Sequence, residues 1–327
     1  MNNTTDERQL LLQDWLSDYY NMNSVKLTPV SGDASFRRYF RFNYPSSHEG
    51  EQLTLIAVDA PPAQENSQPF VEVCELLYTH QCPVPKIYLS SLNNGFFVIE
   101  DFGDELLLNC LNDETANDLY FHAMQSIIKM QTINASTLPR YDSLLLQREM
   151  HLFTDWYLVK HKNISPDDEL KDLLKNTYQL LEANALEQPE VFVHRDYHSR
   201  NLMVRANKPL GIIDFQDAVN GPVTYDLVSL LRDCYIDWPQ NRVDGWCKQF
   251  YEMLPDKNFD WETFMRWFDL MGIQRHLKAT GIFCRLNYRD NKPAYLNDIP
   301  RTLNYINSVS ARYPELSSFN SFIGKLL

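Results

Sequence analysis

Residues 191–204 read VFVHRDYHSRNLMV. Two apolar runs, each with the content of a short buried strand, enclose His194, Arg195, Asp196, His198, Arg200 and Asn201. Polar groups are costly inside a fold unless they are paired or put to use. The stretch is therefore either a capped turn or a loop that carries chemistry. The next segment, LGIIDFQDA (210–218), ends a third apolar run on Asp214. Together these residues are the parts needed to move a phosphoryl group. One carboxylate, Asp196, orients or deprotonates the acceptor hydroxyl. Asn201 and Asp214 provide the hard oxygen donors that Mg²⁺ takes. The i, i+4 spacing of His194 and His198 would suit zinc on a helix, but here it lies between strand signals and lacks the accompanying glutamate.

Upstream, residues 6–20 have the period of an amphipathic helix, with Leu10, Leu11, Trp15, Leu16 and Tyr19 on one stripe. Strand signals follow: VKLTPV (25–30), FRRYFRF (36–42), LTLIAVD (53–59), KIYLS (86–90) and GFFVIE (95–100). One helical segment, PFVEVCELLYTH (69–80), interrupts them. Five strands with an inserted helix predict a small α+β domain with a mostly antiparallel sheet. Beyond residue 104 the period becomes helical, over 113–134, 143–161, 168–186, 224–236, 243–254, 260–287 and 299–309. The Gly and acids of EDFGDE (100–105) mark a hinge, dividing the chain into 1–103 and 104–327.

The chain has 327 residues, 44% of them hydrophobic, enough for a full core. Its net charge of −13, with no dense Lys/Arg run, excludes a nucleic-acid partner. An acidic surface can still attract a cationic substrate. None of the six cysteines has C-x-x-C spacing, so reduced core thiols are expected. No basic-then-apolar leader and no 18-residue apolar window is present, so the reading is a cytoplasmic protein without a membrane partner. A monomer is expected.

The pattern H-R-D-x-x-x-x-N followed by Asp-Phe resembles the catalytic loop and metal-binding turn of the protein-kinase-like fold. The resemblance implies a bilobal α+β chain, with a small, mainly antiparallel β N-lobe and a larger, mainly helical C-lobe. It also implies ATP as co-substrate and Mg²⁺ as cofactor. His194 would pack and hydrogen-bond the loop; His198 and Arg200 either shape it or face the substrate. GFFVIEDFGD resembles the strand and hinge that hold adenine through backbone groups, around Glu100, Asp101 and Phe102. In SGDASF, the small residues Ser31, Gly32, Ala34 and Ser35, with Asp33 among them, let a backbone approach phosphates. After Asp214 the chain runs through FQDAVNGPVTYD straight into a helix, with no A-P-E motif. That leaves no peptide-docking segment and resembles the small-molecule kinases of the aminoglycoside phosphotransferase and choline kinase superfamily. Asp226, near the start of that helix, caps it and can brace the catalytic loop.

One position departs from the pattern. The third strand, LIAVDAPP, has Asp59 where the phosphate-pairing lysine is expected. Either the chain is a nucleotide-binding pseudokinase, or the charge comes from Arg37, Arg38 or Arg41. Alternation sets Arg38 on one face and Arg37 with Arg41 on the other; Arg38 is assigned to the nucleotide. Beyond the loop, the stretches SGDASFRRYFRF, IAVDAPP, HRDYHSRNLM, IDFQDAVNGPVTYDLVSLLRDCYIDWP and MGIQRHLKATGIFCRLNYRDNKPAYLNDIPR look like the anomeric sugar kinases of cell-wall recycling, the AmgK type. Those enzymes phosphorylate N-acetylmuramate and N-acetylglucosamine at the C1 hydroxyl. The resemblance implies an amino-sugar acceptor and makes Asp59 a subfamily trait. An arginine fork suits the lactyl carboxylate of N-acetylmuramate; Arg232 is the first candidate and Arg275 the second, with Asp233 a candidate for sugar hydroxyls. A choline- or aminoglycoside-type kinase is the alternative within the same fold.

Overall fold

The computed structural model describes residues 6–30, 36–45 and 52–327. It divides into two compact units, 1–105 with 203–217, and 106–202 with 218–327. The segment 203–217 therefore belongs with the first unit, not with the second as the expected break at 103/104 implied.

In the first unit α1 (Glu7–Tyr20) starts where the Asp6 side chain accepts from Gln9 N at 3.1 Å, and it ends at Asn21 with φ 52°. The sheet contains β1 (Thr28–Val30), β2 (Arg38–Pro45), β3 (Gln52–Asp59), β4 (Ile87–Ser91) and β5 (Phe96–Glu100), in the order β1-β2-β3-β5-β4, antiparallel throughout. Period-two alternation gives the sheet two faces. Phe40, Phe42, Leu55, Ala57, Phe96 and Val98 meet Leu12 and Leu16 of α1 on one of them. On the other, Phe70 of α2 (Gln68–Thr79) lies edge-on to Phe97 at 5.7 Å. Each such fully buried side chain contributes about 1.5–3 kcal/mol, so both helices are integral to the sheet.

The second unit opens with α3 (Leu107–Cys110), α4 (Ala116–Gln131) and α5 (Ser143–Leu152). The single helix expected over 143–161 is α-helical only to Leu152 and then π-helical over Phe153–His161. After α6 (Asp168–Leu186) come β6 (Glu190–Val193) and the two-residue strand β7 (Leu202–Met203); the two-residue strand β8 (Gly211–Ile212) belongs to the first unit, and β9 (Val219–Pro222) to the second again. β9, unforeseen from the sequence, pairs antiparallel with β6, Val193 opposite Val219. Then follow α7 (Tyr225–Leu231), shorter than expected, α8 (Gln240–Met253), α9 (Trp261–Asp290), α10 (Ile299–Ser310) and α11 (Ser317–Gly324). α9 is the core helix of this unit, with α5, α6, α7 and α10 packed around it. No helix among the described residues is long and apolar enough to cross a membrane.

Candidate active site

In the second unit the loop 194–201 leaves β6 and is braced from three sides. The β6–β9 pairing brings the chain after β9 back beside it. There the Asp226 carboxylate, in the first turn of α7, accepts from His194 N at 2.7 Å and Arg195 N at 3.0 Å. Arg195 adopts φ 77°, a left-handed backbone that costs a non-glycine residue about 1–3 kcal/mol and persists only where surroundings enforce it. Its guanidinium pairs with buried Glu149 of α5 at 2.5 Å. Asp233 accepts from Ser199 N at 2.8 Å and Ser199 Oγ at 2.5 Å. Asn201 Nδ2 donates to the Asp196 carbonyl at 2.9 Å, so the amide nitrogen serves the loop and the oxygen is the donor atom suited to a metal. His194 is fully buried, its ring edge-on to Tyr197 and its Nδ1 accepting from Asp196 N at 3.3 Å.

Asp196 sits half-buried among cations. Burial alone would push its carboxyl up; Lys278, then His198, Arg195 and Arg275 outweigh burial and hold it well below the usual carboxylate range. Lys278 is itself anchored, 3.4 Å from Glu149 and donating to the Tyr225 hydroxyl at 3.1 Å. Asp226 behaves oppositely: burial raises its carboxyl to about 7 against the two backbone donors that lower it. One loop thus holds a carboxylate kept charged and a second one that structures the backbone.

The first unit carries Asp214. It follows β8 with φ 65°, its Oδ1 accepting from Gln216 Nε2 at 2.6 Å. Phe215 plugs this turn into the unit, stacked on Phe70 of α2 at 5.3 Å. Ile212 N donates to Pro83 O at 2.8 Å and Val204 N to Glu105 O at 2.7 Å, so the whole segment is stitched to the hinge side of the unit. Beside it lies a cavity of about 560 Å³, lined by Arg41, Thr54, Glu100, Asp101, Phe102 and Arg205 among others. Arg41 bridges Asp101 (2.6 Å) and Asp104 (2.8 Å), and Arg205 lies 4.1 Å over the Phe102 ring. A Cβ on Gly211 would lie 2.4 Å from that ring, so only glycine fits there.

Four sequence expectations change. Asp59 is fully buried on the α1 face of the sheet, not on the face of α2 and Phe215. It accepts from Arg8 Nε at 2.8 Å and Arg38 Nε at 3.0 Å, and Arg38 also pairs with Asp6. Arg38 is therefore committed to Asp59 and Asp6, and the nucleotide role given to it is corrected. Arg37 alternates to the other face, 3.7 Å from Glu65 and over the Phe70 ring at 5.3 Å. Arg232 is 1% exposed and paired with Asp269 at 2.5 Å, so it cannot clamp a substrate carboxylate. Asp233 is buried and spent on the loop, not on sugar hydroxyls. Of the other assigned residues, His198 and Arg200 lie on the loop against Tyr235, and Arg275 lies on α9 within electrostatic reach of Asp196. Ser31, Gly32, Asp33, Ala34 and Ser35 lie outside the described residues.

Glu149 and Arg8 escape the sequence reading, and Lys278 stands in it only as a helix-face neighbour of Arg275, with no part at the loop. Glu149 had a signal: it interrupts the buried stripe Leu146, Met150, Phe153 of its helix, where a charge needs a partner. Lys278 and Arg8 sit in charged helical stretches that look solvated until packed.

The family model for phosphotransferase enzymes matches residues 26–265. The chain is 43% identical over 308 residues to an N-acetylmuramate/N-acetylglucosamine kinase of Pseudomonas aeruginosa, covering 92% of this chain and 89% of that protein. It is 37% identical over 332 residues to one of Neisseria meningitidis, covering 98% and 96%. Among solved structures, an ethanolamine kinase of Plasmodium vivax superposes with a TM-score of 0.66 at 15% identity, covering 93% of this chain and 88% of that one. At that identity the likeness speaks for the fold alone.

Proposed function

Because the chain belongs to the phosphotransferase enzyme family, we propose that it transfers the γ-phosphoryl group of ATP to the anomeric hydroxyl of N-acetylmuramate or N-acetylglucosamine. The observation that carries the reading is Asp196: a carboxylate kept ionised by Lys278, on a loop braced by Asp226, Asp233 and Glu149. The choice of acceptor is supported by relatives named for both sugars across nearly the whole chain.

Asp196 accepts a hydrogen bond from the anomeric hydroxyl and takes its proton as the new P–O bond forms. Asn201 of the second unit and Asp214 of the first carry the oxygen atoms that would hold Mg²⁺, and the ion would supply charge neutralisation at the phosphates. The hinge cavity of the first unit holds the nucleotide's base end, with Glu100, Asp101 and Phe102 contributing backbone groups. Arg37, on the α2 face, takes the phosphate-neutralising role that Arg38 cannot. Most of the rate comes from positioning and electrostatic stabilisation, since phosphoryl transfer needs little covalent help from the protein. The product is a sugar 1-phosphate, a form from which nucleotide-sugar precursors are built, which suits salvage of cell-wall sugars. The buried thiols of Cys74, Cys234, Cys247 and Cys284, none in a disulfide, and the use of ATP fit a cytoplasmic setting.

Asp59 was the support for a pseudokinase. With its carboxylate bound by Arg8 and Arg38 away from the α2 face, that support is gone. The test is Mg-ATP with N-acetylmuramate, N-acetylglucosamine, choline or kanamycin, followed by ³¹P NMR. An anomeric phosphate signal with either sugar is expected. Turnover only with choline or kanamycin, or none with any acceptor, overturns the proposal.

A further inference from the structure

Near Asp196 two arginines have no carboxylate partner among the described residues, and one buried imidazole nitrogen has no hydrogen-bond partner. Arg275 is only 4% exposed, yet no carboxylate among the described residues lies within ion-pair distance of it. The one hydrogen bond of its side chain goes to Cys234 Sγ at 3.6 Å, a weak acceptor. Its neighbours on α9 and α7 show the contrast: Lys278 has Glu149, and Arg232 has Asp269. Arg200, on the loop, is held flat over the Tyr235 ring at 3.7 Å and likewise has no ion pair among the described residues. His198 is within electrostatic reach of both arginines, and its Nδ1 is buried without a partner. The His198 ring is fixed edge-on to Tyr235 at 5.2 Å. The acids facing this cluster are engaged elsewhere or reserved. Asp233 is taken by Ser199 and Tyr235 N, Asp298 pairs with Arg301, and Asp196 is the base.

A buried guanidinium without a counter-ion is costly, and two arginines around one orphan imidazole nitrogen make an anion site. We propose that Arg275, with Arg200 and His198, binds the carboxylate of the acceptor and so sets the preference for N-acetylmuramate over N-acetylglucosamine. This rests on the sugar-kinase reading above. The two sugars differ there in the carboxylate-bearing ether, and the planar fork of arginine matches a carboxylate better than a hydroxyl. The geometry also corrects the choice between the two candidates: Arg232 has its anion built into the protein, and Arg275 awaits one from the substrate.

The test compares KM and kcat for both sugars in wild type, Arg275→Gln, Arg275→Lys and Arg200→Gln. Losing a charge-assisted pair should raise KM for N-acetylmuramate about 10- to 100-fold more than for N-acetylglucosamine. The lysine variant should recover part of that difference, which a packing defect would not do. Arg200 is half-exposed on the loop, so Arg200→Gln remains informative if the α9 variants fold poorly. Equal loss of kcat on both sugars would show that the cluster serves the transferred phosphoryl group, and overturns the proposal. Equal KM changes overturn it as well. Absence of turnover by wild type with either sugar overturns the sugar-kinase reading and this inference with it, whereas intact wild-type turnover with unselective variants overturns only the clamp.

Discussion

Replacing Asp59 by lysine, which looks like restoring a kinase residue, should unfold the first unit's helix–sheet contact instead. Asp59 is 0% exposed and faces α1. Its carboxylate holds Arg8, 32% exposed, and Arg38, 37% exposed. A lysine there would bury a third cation against two others and remove their common anion. Breaking a buried pair costs about 3–5 kcal/mol. The two arginines are about a third exposed and can turn into water, which recovers part of their share. The new ammonium has no acceptor, so a net loss of roughly 3–5 kcal/mol is expected. Asp59→Asn keeps an acceptor and should lose less, roughly 1–3 kcal/mol. Urea unfolding reads the effect through Trp15, the one tryptophan of the first unit, which packs 5.6 Å from Phe96. At an m-value of about 1–3 kcal/mol/M the midpoint should fall by about 1 M or more. A lysine variant with the wild-type midpoint, or with faster turnover, would refute the argument. It would mean that position 59 faces the nucleotide after all.

Other outcomes follow from the same contacts. Arg232→Met should cost about 1–3 kcal/mol, because buried Asp269 loses its 2.5 Å partner and keeps only Arg312 at 3.5 Å and the Tyr313 hydroxyl at 2.9 Å, while the ratio of KM values for the two sugars stays at the wild-type figure; a selective change in that ratio would return Arg232 to the clamp. Asp196→Asn should lower kcat by about 10²- to 10⁴-fold with ATP affinity retained, measured by steady-state kinetics and nucleotide titration. Burial raises the Asp226 carboxyl from the ordinary carboxylate range to about 7 in the folded protein. Its protonated form is thus favoured by folding, and this contribution is complete below pH 4 and lost as pH rises through 7. The stability of wild type relative to Asp226→Asn should therefore fall across that window, and a flat difference would count against the assignment. Gly211→Ala should displace the Phe102 ring and raise KM for ATP about tenfold, since overpacking costs about 1–3 kcal/mol; an unchanged KM would remove Phe102 from the nucleotide site.

The sequence by itself determined the kind of fold and the reacting parts. Alternating strands before residue 104 and 3.6-period helices after it are local patterns, and they specify an antiparallel sheet and a helical unit without any tertiary knowledge. The loop H-R-D-Y-H-S-R-N and Asp214 are legible because their spacing in the chain is itself the constraint. The elements missed were short or without a local period: α3, α11, β9 and the π-helical segment after α5. What only the tertiary structure decided was the fate of each charge. Asp59, Arg38 and Arg232 looked like site residues because a string of letters does not say which face of a sheet or helix is covered. Each proved to have a partner within the protein: Arg8, Asp59 and Asp269. Arg275 and Lys278 lie three residues apart on one helix and read alike, yet Glu149 neutralises one and leaves the other. Counter-ions come from segments distant in the chain, so pairing is a property of packing, and it separates a charge that holds the fold from one that waits for a substrate.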